Sequence, residues 1–355
     1  MNESELARLT EILDSLDFDF GQVIPEREEP RGLLYHYTTP EGLLGIMKSG
    51  SIRATHVRYL NDKTELKHAL SQEFEDHLLD TLFPVASKEK KESLRKLRRD
   101  HSKVDEVYVA SFTDDAAALA SDAARPGDRL SQWRAYSNPA GGFSLGFDSK
   151  LVMGGWQSKG LRGIDRSLLL RCRYSPREKR DAARKVGAAG SGTLSKALES
   201  CLDLFRKKVG REPDLAEGGF IESWSDAFAL GKTDADYFIW EAARFKDEAF
   251  SEEHEWRIVV QCDRQRLLDA HCFDTSSPII HFRAGRYGLT PYIDLPLGFT
   301  SAESPLRRII VGPSQQEKEA LEGVKLLLQC KGIKVKTEGS PDGVEVVPSR
   351  IPYRN

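Results

Sequence analysis

The sequence predicts an α+β fold, and three observations support this class. Short runs of β-branched and aromatic residues recur along the chain and are typical of strands. Between them, apolar residues at helical spacing follow capping residues, which indicates helices. The stretch 176–248 has mostly helical character and predicts a helical insertion. With 355 residues, of which 39% are hydrophobic and 30% charged, the chain can bury a core and stay soluble.

The first 30 residues are expected to stand outside the main domain. Residues 3–16 place leucine and isoleucine at helical spacing, and residues 25–30 are rich in proline and charge. This pattern predicts a docking helix followed by a linker. The main domain then spans 31–348, and residues 349–355 form a tail.

The main domain is predicted to begin with a strand, a short helix and a second strand. Residues 33–38 have strand character. Thr39 is suited to cap the next helix, Pro40 to occupy its first position, and Gly50 to end it. The strand 52–55 follows.

A longer helix is predicted over 61–79, followed by the basic stretch 88–99. Asn61 or Asp62 either caps the N-terminus of this helix or lies at the rim of a pocket. The basic stretch is either a solvated helix or a face that binds a polyanion.

The rest of the domain is predicted to alternate strands with long connections. Residues 113–129 predict an irregular loop beside the site. The C-terminal end predicts a β-α-β unit, with a strand at 308–312, a capping box at 314–317, a helix that Gly332 ends, and a strand at 333–336. The other predicted strands are 107–112, 143–147, 168–173, 256–261 and 279–282.

Composition and charge narrow the class of protein. The five cysteines are scattered, with no CxxC pair, so we expect neither a zinc site nor a disulfide framework. A net charge of -3 gives no global reason to expect nucleic acid. No run approaches the roughly 20 apolar residues of a membrane span, and the N-terminus has no signal-peptide core. We expect a cytoplasmic protein that does not enter the membrane.

Three separated islands, 34–38, 131–136 and 253–257, place polar groups inside apolar or aromatic frames. A buried polar group costs about 2 kcal/mol or more unless it finds a partner. A segment needed only for packing would therefore use aliphatic residues instead. The islands predict one site assembled from distant segments.

The third island carries two carboxylates, Glu253 and Glu255, and continues to Arg257. On a strand these side chains share one face. One carboxylate can then stabilise positive charge on an oxocarbenium ion while the other orients a nucleophile. Arg257 can pair with either. The alternative is a charged strand end that makes surface ion pairs.

The first two islands supply hydrogen-bonding and aromatic groups. His36 and Thr38 share one strand face and can bind a ribose or a carboxamide, while Tyr37 faces the other way. The alternative is a core histidine whose hydrogen bonds are satisfied. The second island either offers donors, acceptors and an aromatic face for a flat ring, or packs as a helix or loop: Ser131, Gln132, Trp133 and Tyr136.

The islands, together with the helix 43–50, Asn61, Asp62 and the strand 142–147, resemble a widespread bacterial domain of unknown function. That family is in turn similar to ADP-ribosyltransferases, including DNA-modifying toxins of toxin–antitoxin pairs. The resemblance covers roughly residues 31–348 and implies a split antiparallel β-sheet core with flanking helices. No phosphate loop, Rossmann glycine fingerprint or Ser-His-Asp elbow competes with it.

The resemblance implies that NAD is the substrate and that no metal takes part. His36 matches the first-strand residue that holds an NAD ribose, and Tyr136 or Ser131 the residue that supports the nicotinamide side. Glu255 or Glu253 matches the late-strand glutamate that contacts the nicotinamide ribose. The wider NAD-binding set would include Tyr37, Thr38, Asn61, Asp62, Gln132, Trp133 and Arg257.

The resemblance implies an effector that cleaves NAD and transfers ADP-ribose to a nucleic acid or protein acceptor. It would act in bacterial defence or toxin–antitoxin biology, with an antitoxin or regulatory partner. Members with two glutamates typically modify arginine but carry arginine where this chain has His36, so the acceptor stays open. The alternatives are a non-catalytic nucleotide or nucleic-acid binding module on the same fold, and an NAD hydrolase. Replacing Glu255 by Gln is expected to remove catalysis with little loss of fold.

Overall fold

The computed structural model describes the greater part of the main domain and scattered residues elsewhere. The described residues are 28–30, 32–60, 88, 107–114, 125–137, 141–152, 164–182, 184–185, 199, 203, 206–208, 210–211, 240, 243–262, 280–285, 288–297, 304–314, 316–338 and 342–352. Among them, no helix is long and apolar enough to cross a membrane.

The chain divides into two compact units. One comprises Met1–Glu26, Glu65–Asp105 and Ser175–Phe245, and the other comprises Arg27–Thr64, Glu106–Tyr174 and Lys246–Asn355. In the first unit, residues 176–182 are helical. The predicted N-terminal helix, the predicted helix 61–79 with Asn61 and Asp62, and all of the basic stretch except Lys88 lie outside the described residues. The predicted domain boundaries remain predictions.

The second unit has a mixed α/β fold built on a large, open and mostly antiparallel sheet. Its ten described strands follow the order β10-β9-β4-β1-β3-β2-β8-β7, with β6 paired to β3 and β5 paired to β6. The strands are β1 Leu33–Thr38, β2 Ser51–His56, β3 Val107–Thr113, β4 Phe143–Asp148, β5 Ile164–Arg171, β6 Glu255–Cys262, β7 Ile280–Gly285, β8 Gly288–Pro296, β9 Leu306–Val311 and β10 Glu345–Pro348. The longer helices are α1 Pro40–Ser49, α2 Leu130–Tyr136 and α3 Glu317–Cys330.

Strand β3 lies where the sheet divides. All of its residues pair with β6 along one edge, from Val107 with Gln261 to Thr113 with Glu255. The other edge is shared, because β1 meets β3 only at Thr113 and β2 meets it only at Val109 and Tyr108. Residues 110–112 are therefore left without a paired strand on that edge within the described part of the chain. The division leaves backbone groups in the middle of the sheet without a strand partner on this edge.

The core follows the strand pattern predicted from the sequence. A main cluster includes Leu34, Ile258 and Ile309, each fully buried. A smaller cluster packs Tyr35 and Tyr37 against Trp133 and Ile310. The alternating side chains of β1 therefore contribute to two clusters, with Leu34 in one and the two tyrosines in the other.

The predicted strand, short helix and second strand within 33–56 are confirmed in detail. Helix α1 begins at Pro40, and the hydroxyl oxygen of Thr39 accepts a hydrogen bond from the amide of Gly42 at 3.3 Å. Gly50 ends the helix in a left-handed conformation with φ of 65°, and its amide donates to the carbonyl of Ile46 at 2.8 Å. The sequence signals were sufficient here because both caps are local.

The predicted C-terminal unit needs two corrections. The strand that returns parallel to β9 is β10, whereas the predicted strand 333–336 contributes only an isolated bridge from Val335 to Val344. The capping box is also wrong, because α3 begins at Glu317 after Gln316, which makes no side-chain cap. The hydroxyl of Ser314 instead accepts from the amide of Gln316 at 3.1 Å, before the helix starts. Strand β8 was not predicted.

Candidate functional site

A pocket that is partly open to solvent lies beside the division of the sheet. It contains residues from all three polar islands, and strand β3 contributes three more. The lining residues are Tyr35, His36, Tyr37, Ser111, Phe112, Thr113, Gln132, Tyr136, Glu253 and Glu255.

His36 is fixed by a backbone carbonyl of β3. Its Nδ1 donates to the carbonyl oxygen of Ser111 at 3.0 Å, since a carbonyl can only accept. Burial lowers the pKa of His36 below its ordinary value, and the bond to Ser111 only partly offsets this effect. The ring is therefore neutral at pH 7, and its Nε2 is left as a hydrogen-bond acceptor.

The two glutamates do not share a strand, which corrects the sequence prediction. Glu253 ends the 3-10 helix Glu248–Glu253, and β6 begins only at Glu255. Between them His254 takes a left-handed conformation with φ of 45°. This turn, and not strand alternation, allows both carboxylates to point at one place. A non-glycine residue in this conformation is uncommon and marks a constrained turn.

Lys246 joins the two carboxylates. Its Nζ donates to Oε2 of Glu255 at 2.5 Å and to Oε2 of Glu253 at 2.6 Å. The Nε of Arg257 donates to Oε1 of Glu255 at 2.7 Å, as the sequence analysis allowed. The four groups form a buried cluster that is formally neutral, which we call the carboxylate cluster: Lys246, Glu253, Glu255 and Arg257.

The backbone fixes this cluster firmly. The amide of Glu255 donates to the hydroxyl of Tyr174 at 2.7 Å, and its carbonyl accepts from the amide of Cys172 at 2.8 Å. The amide of Lys246 donates to the carbonyl of Arg173 at 3.0 Å. Residues 172–174, just beyond β5, therefore set the positions of Glu255 and Lys246.

The two glutamates differ in what they can offer a ligand. Burial alone would raise the pKa of Glu255, but Arg257 and Lys246 outweigh it and hold that pKa well below its usual range. Both oxygens of Glu255 are already paired. Glu253 is paired through Oε2 only, and its side chain is 13% exposed. Its Oε1 has no partner among the described residues, and Glu253 lines the pocket.

Helix α2 divides the second island between the pocket and the core. Gln132 and Tyr136 line the pocket. Trp133 does not: it is 2% exposed, packs edge-on against Tyr37 at 4.8 Å between ring centroids, and donates its Nε1 to Asp128 at 2.8 Å. The predicted stacking face for a flat ring is therefore part of the core. Ser131, which directly precedes Gln132 in α2, does not line the pocket.

Two polar side chains line the pocket without a hydrogen-bond partner in the part of the chain that the structure describes. Gln132 is 3% exposed as a residue and lines the pocket. The Oγ1 of Thr113 is buried and has no partner among the described residues. Burial, followed by the charges of Glu255 and Glu253, raises the pKa of Tyr136 to about 12, so its hydroxyl stays protonated. Unsatisfied buried groups of this kind are uncommon and call for an explanation.

The remaining residues of the first island have structural partners. The hydroxyl of Tyr37 accepts from the backbone amide of Arg129 at 3.0 Å, and burial raises the pKa of Tyr37. Thr38 lies against α1 near Gly42 and does not line the pocket. Of this island, His36 has the ring nitrogen best suited to a ligand.

Sequence reasoning missed the residues that hold the site together. Arg129 donates to the carbonyls of Glu252 at 2.6 Å and Asp114 at 3.1 Å, which ties α2 to the 3-10 helix and to the end of β3. The carboxylate of Asp114 accepts from Nε1 of Trp256 at 2.9 Å. Lys246 was also missed. No local pattern marks these residues, because each acts on a segment distant in sequence.

The geometry defines a mixed α/β protein with a small hydrogen-bonding pocket and a neutral carboxylate cluster. A family described as Protein of unknown function (DUF2971) matches residues 132–258, from α2 into β6. The match covers less than half of the chain and includes Gln132, Tyr136 and the whole carboxylate cluster. It supports the predicted resemblance to an uncharacterised family. No curated protein and no solved structure matches the chain significantly.

Proposed function

We propose that this protein is an ADP-ribosyltransferase effector that cleaves NAD at the nicotinamide bond. The observation that carries the proposal is the meeting of His36, Gln132, Tyr136 and the paired glutamates around one pocket. These residues come from separate segments: β1, α2 and the turn that leads into β6. Together they supply neutral hydrogen-bond acceptors, neutral hydrogen-bond donors and a fixed carboxylate. These are the groups that bind a carboxamide and a ribose and stabilise positive charge on the sugar.

The pocket suits the nicotinamide ribose and not the whole dinucleotide. Neither Lys nor Arg is among its lining residues. A pyrophosphate is usually bound by Arg, Lys or a cluster of backbone amides. The phosphates and the adenosine half would therefore lie outside this pocket.

Within the pocket the residues divide the work. The acceptor Nε2 of His36 receives a ribose hydroxyl, and the amide of Gln132 pairs with the carboxamide. Oε1 of Glu253 faces the ribose, where an oxocarbenium-like charge develops as the C1′–N bond breaks. Glu255 acts through Lys246 to hold Glu253 in place. Catalysis then depends on position and electrostatics, and no residue need take a proton from the sugar.

The acceptor is a nucleic acid or a protein, and we place the activity in bacterial defence or toxin–antitoxin biology, with an antitoxin or regulatory partner. NAD is the substrate, and no metal is needed for this chemistry. The family resemblance stated from the sequence supports this part of the proposal. The basic stretch 88–99 would favour a nucleic acid acceptor.

The test is release of nicotinamide and transfer of label from labelled NAD in cell lysate. The wild-type chain is compared with Glu253→Gln, which removes the carboxylate of Glu253. Glu319→Gln, on the exposed first turn of α3, is the matched control. We expect turnover in the wild type and the control, with a loss of about a hundredfold or more in Glu253→Gln. Equal turnover in all three would exclude the assigned role of Glu253.

A binding module is the second candidate, and one observation favours it. Both oxygens of Glu255 are already paired and the carboxylate cluster is formally neutral, as in a site built for structure. NAD binding without nicotinamide release would support this alternative. Nicotinamide release without transfer of label would instead support an NAD hydrolase.

A further inference from the structure

Lys246 was not predicted as a site residue from the sequence, yet it lies at the centre of the carboxylate cluster. It is 4% exposed and donates to both glutamates, at 2.5 and 2.6 Å. Its ammonium also lies 4.9 Å from the ring centroid of Phe250, in cation–π geometry. Burial would lower the pKa of Lys246, but Glu255 and Glu253 raise it, so the side chain stays charged.

Two neighbouring carboxylates would otherwise form a binding site for an N–H cation. A guanidinium or ammonium group binds carboxylates through short, charge-assisted hydrogen bonds. In this protein, the oxygens that would accept those bonds already accept from Lys246 and Arg257. Only Oε1 of Glu253 remains, which is insufficient for a two-point contact.

We propose that Lys246 is a specificity-determining residue, which occupies the Glu253–Glu255 pair as an internal cation and restricts the acceptor of ADP-ribose to uncharged nucleophiles. Arginine and lysine side chains are thereby excluded. The statement about the acceptor rests on the proposed function. The exclusion of N–H cations from the pocket does not rest on the proposed function, because it follows from the carboxylate cluster alone.

The exclusion is compatible with NAD, whose nicotinamide ring is a cation of a different kind. A pyridinium ring carries its charge without any N–H donor and needs no carboxylate contact. Aromatic faces stabilise such a charge, and Tyr35, Phe112 and Tyr136 line the pocket. Lys246 therefore acts against the acceptor cation and not against the substrate.

The chemistry of transfer agrees with an uncharged acceptor. The C1′–N bond breaks and its electron pair goes to the ring nitrogen, so nicotinamide leaves neutral. A lone pair of the acceptor oxygen or nitrogen forms the new bond to C1′, and the proton of the acceptor passes to solvent water. A guanidinium would first have to lose a proton with a pKa above about 12, and Glu255, held ionised by two cations, is a poor base for that step.

The experiment titrates agmatine, a small guanidinium compound, into the wild type, Lys246→Gln and Lys325→Gln. Lys325 pairs with Glu322 on the exposed face of α3 and is the matched control. Binding is followed by calorimetry and by the melting temperature, with sodium chloride at equal ionic strength as the reference. We expect Lys246→Gln to bind agmatine at least about tenfold more tightly than the wild type and the control. Equal affinity in all three proteins would overturn the proposal.

If Lys246→Gln does not fold, two other variants still test the proposal. Lys246→Arg keeps the charge and is expected to fold and still exclude agmatine. The double variant Glu253→Gln with Lys246→Gln removes one charge of each sign and is expected to fold without gaining agmatine binding. Tight agmatine binding by either variant would contradict the proposal.

Turnover supplies the second, separate readout. If the wild type cleaves NAD, it is expected to leave agmatine unmodified, and transfer of label to agmatine by the wild type would overturn the acceptor assignment. If no NAD is cleaved, the proposed function fails, whereas the agmatine titration still decides whether Lys246 excludes cations. The two failures are therefore distinguishable.

Discussion

His36 and Ser111 form a hydrogen bond of 3.0 Å across the division of the sheet. Ser111 lies in the part of β3 where neither β1 nor β2 pairs, so its carbonyl would otherwise lack a partner on that edge. The bond fixes the imidazole in the Nδ1–H form. A feature of topology, the shared edge of β3, thereby determines which ring nitrogen can serve a ligand.

We predict that His36 makes the protein less stable as the pH falls below 6.5. The pKa of His36 is lowered by burial from 6.5, the value expected in the unfolded chain. The unfolded chain therefore binds the proton more readily, and the free energy of unfolding falls as the pH drops from 6.5 towards the folded pKa. The slope per histidine is at most about 1.4 kcal/mol per pH unit. Urea unfolding at several pH values above about 5.5 measures it before the carboxylates, Glu255 among them, contribute.

His254 provides the control for this prediction. Its pKa is also lowered, by burial and by Arg129, so it contributes with the same sign. Each of His36→Gln and His254→Gln is expected to reduce the slope, and the double variant to reduce it further. A His36→Gln variant with the wild-type slope would show that His36 titrates normally.

The two glutamates are predicted to differ in their effect on stability. Glu255→Gln leaves Lys246 and Arg257 buried with less compensating charge, which costs about 3–5 kcal/mol. Glu253→Gln removes one partially exposed pair while Lys246 keeps Glu255, so we expect about 1 kcal/mol. Urea unfolding of both variants gives the comparison. The structure thus reverses the expectation that Glu255→Gln would leave the fold nearly intact.

Nicotinamide release from the same two variants separates the roles. Glu253→Gln is expected to lose activity while it remains folded. Glu255→Gln is expected to lose activity and stability together. Should Glu255→Gln prove as stable as the wild type and inactive, Glu255 and not Glu253 would be the carboxylate that contacts the substrate.

The sequence predicted those parts of the fold that depend on local signals. Thr39, Pro40 and Gly50 defined α1 because capping and backbone conformation are decided within a few residues. The same reasoning failed at Ser314, where a capping-box spacing occurs before the helix begins. It also failed at 333–336, because the choice of β10 as the parallel strand depends on pairing with β9.

The candidate site shows the same limit. The islands that contain His36, Gln132 and Glu255 could be found because polar groups stood in apolar frames. For Trp133 the sequence left both stacking and packing open, and the structure shows packing, since its indole donates to Asp128 and no local pattern predicts that bond. Lys246 could not be found, because its role depends on a left-handed turn at His254 that brings Glu253 back towards Glu255.

Asp128 is predicted to be a strong determinant of stability. Its carboxylate is buried and accepts from Nε1 of Trp133 at 2.8 Å, from the hydroxyl of Ser349 at 2.6 Å and from the amide of Arg350 at 2.7 Å. Asp128→Ala leaves these donors without an acceptor, and we expect a loss of roughly 3 kcal/mol. Chemical denaturation followed by tryptophan fluorescence measures the change.

A double-mutant cycle tests the cause of that loss. Ser349→Ala removes the bond to Asp128 and the bond that the Ser349 hydroxyl accepts from the amide of Ile351, and is expected to cost about 1–2 kcal/mol. In a Trp133→Phe background the indole donor is gone, so Asp128→Ala should cost less than in the wild type. Strictly additive effects would mean that Asp128 does not act through Trp133.

Gly127 is predicted to tolerate no side chain. It has φ of 72°, and an added Cβ would lie 2.2 Å from Cδ1 of Tyr35. That ring is fully buried and is confined on another side by Gly146, where an added Cβ would lie 2.8 Å from Cε1. Gly127→Ala is therefore expected to cost about 3 kcal/mol or more, through both strain and overlap. The free energy of unfolding in urea measures the loss.

Two glycine variants separate these causes. Gly288 has φ of 88° and open space around it, so Gly288→Ala carries the backbone strain alone, about 1–2 kcal/mol. Gly45 lies inside α1 with nothing within 4 Å of an added Cβ, so Gly45→Ala should stabilise the protein by about 0.5–1 kcal/mol. If Gly127→Ala cost no more than Gly288→Ala, Tyr35 would be free to move. The part of the pocket that the Tyr35 ring lines could then change shape.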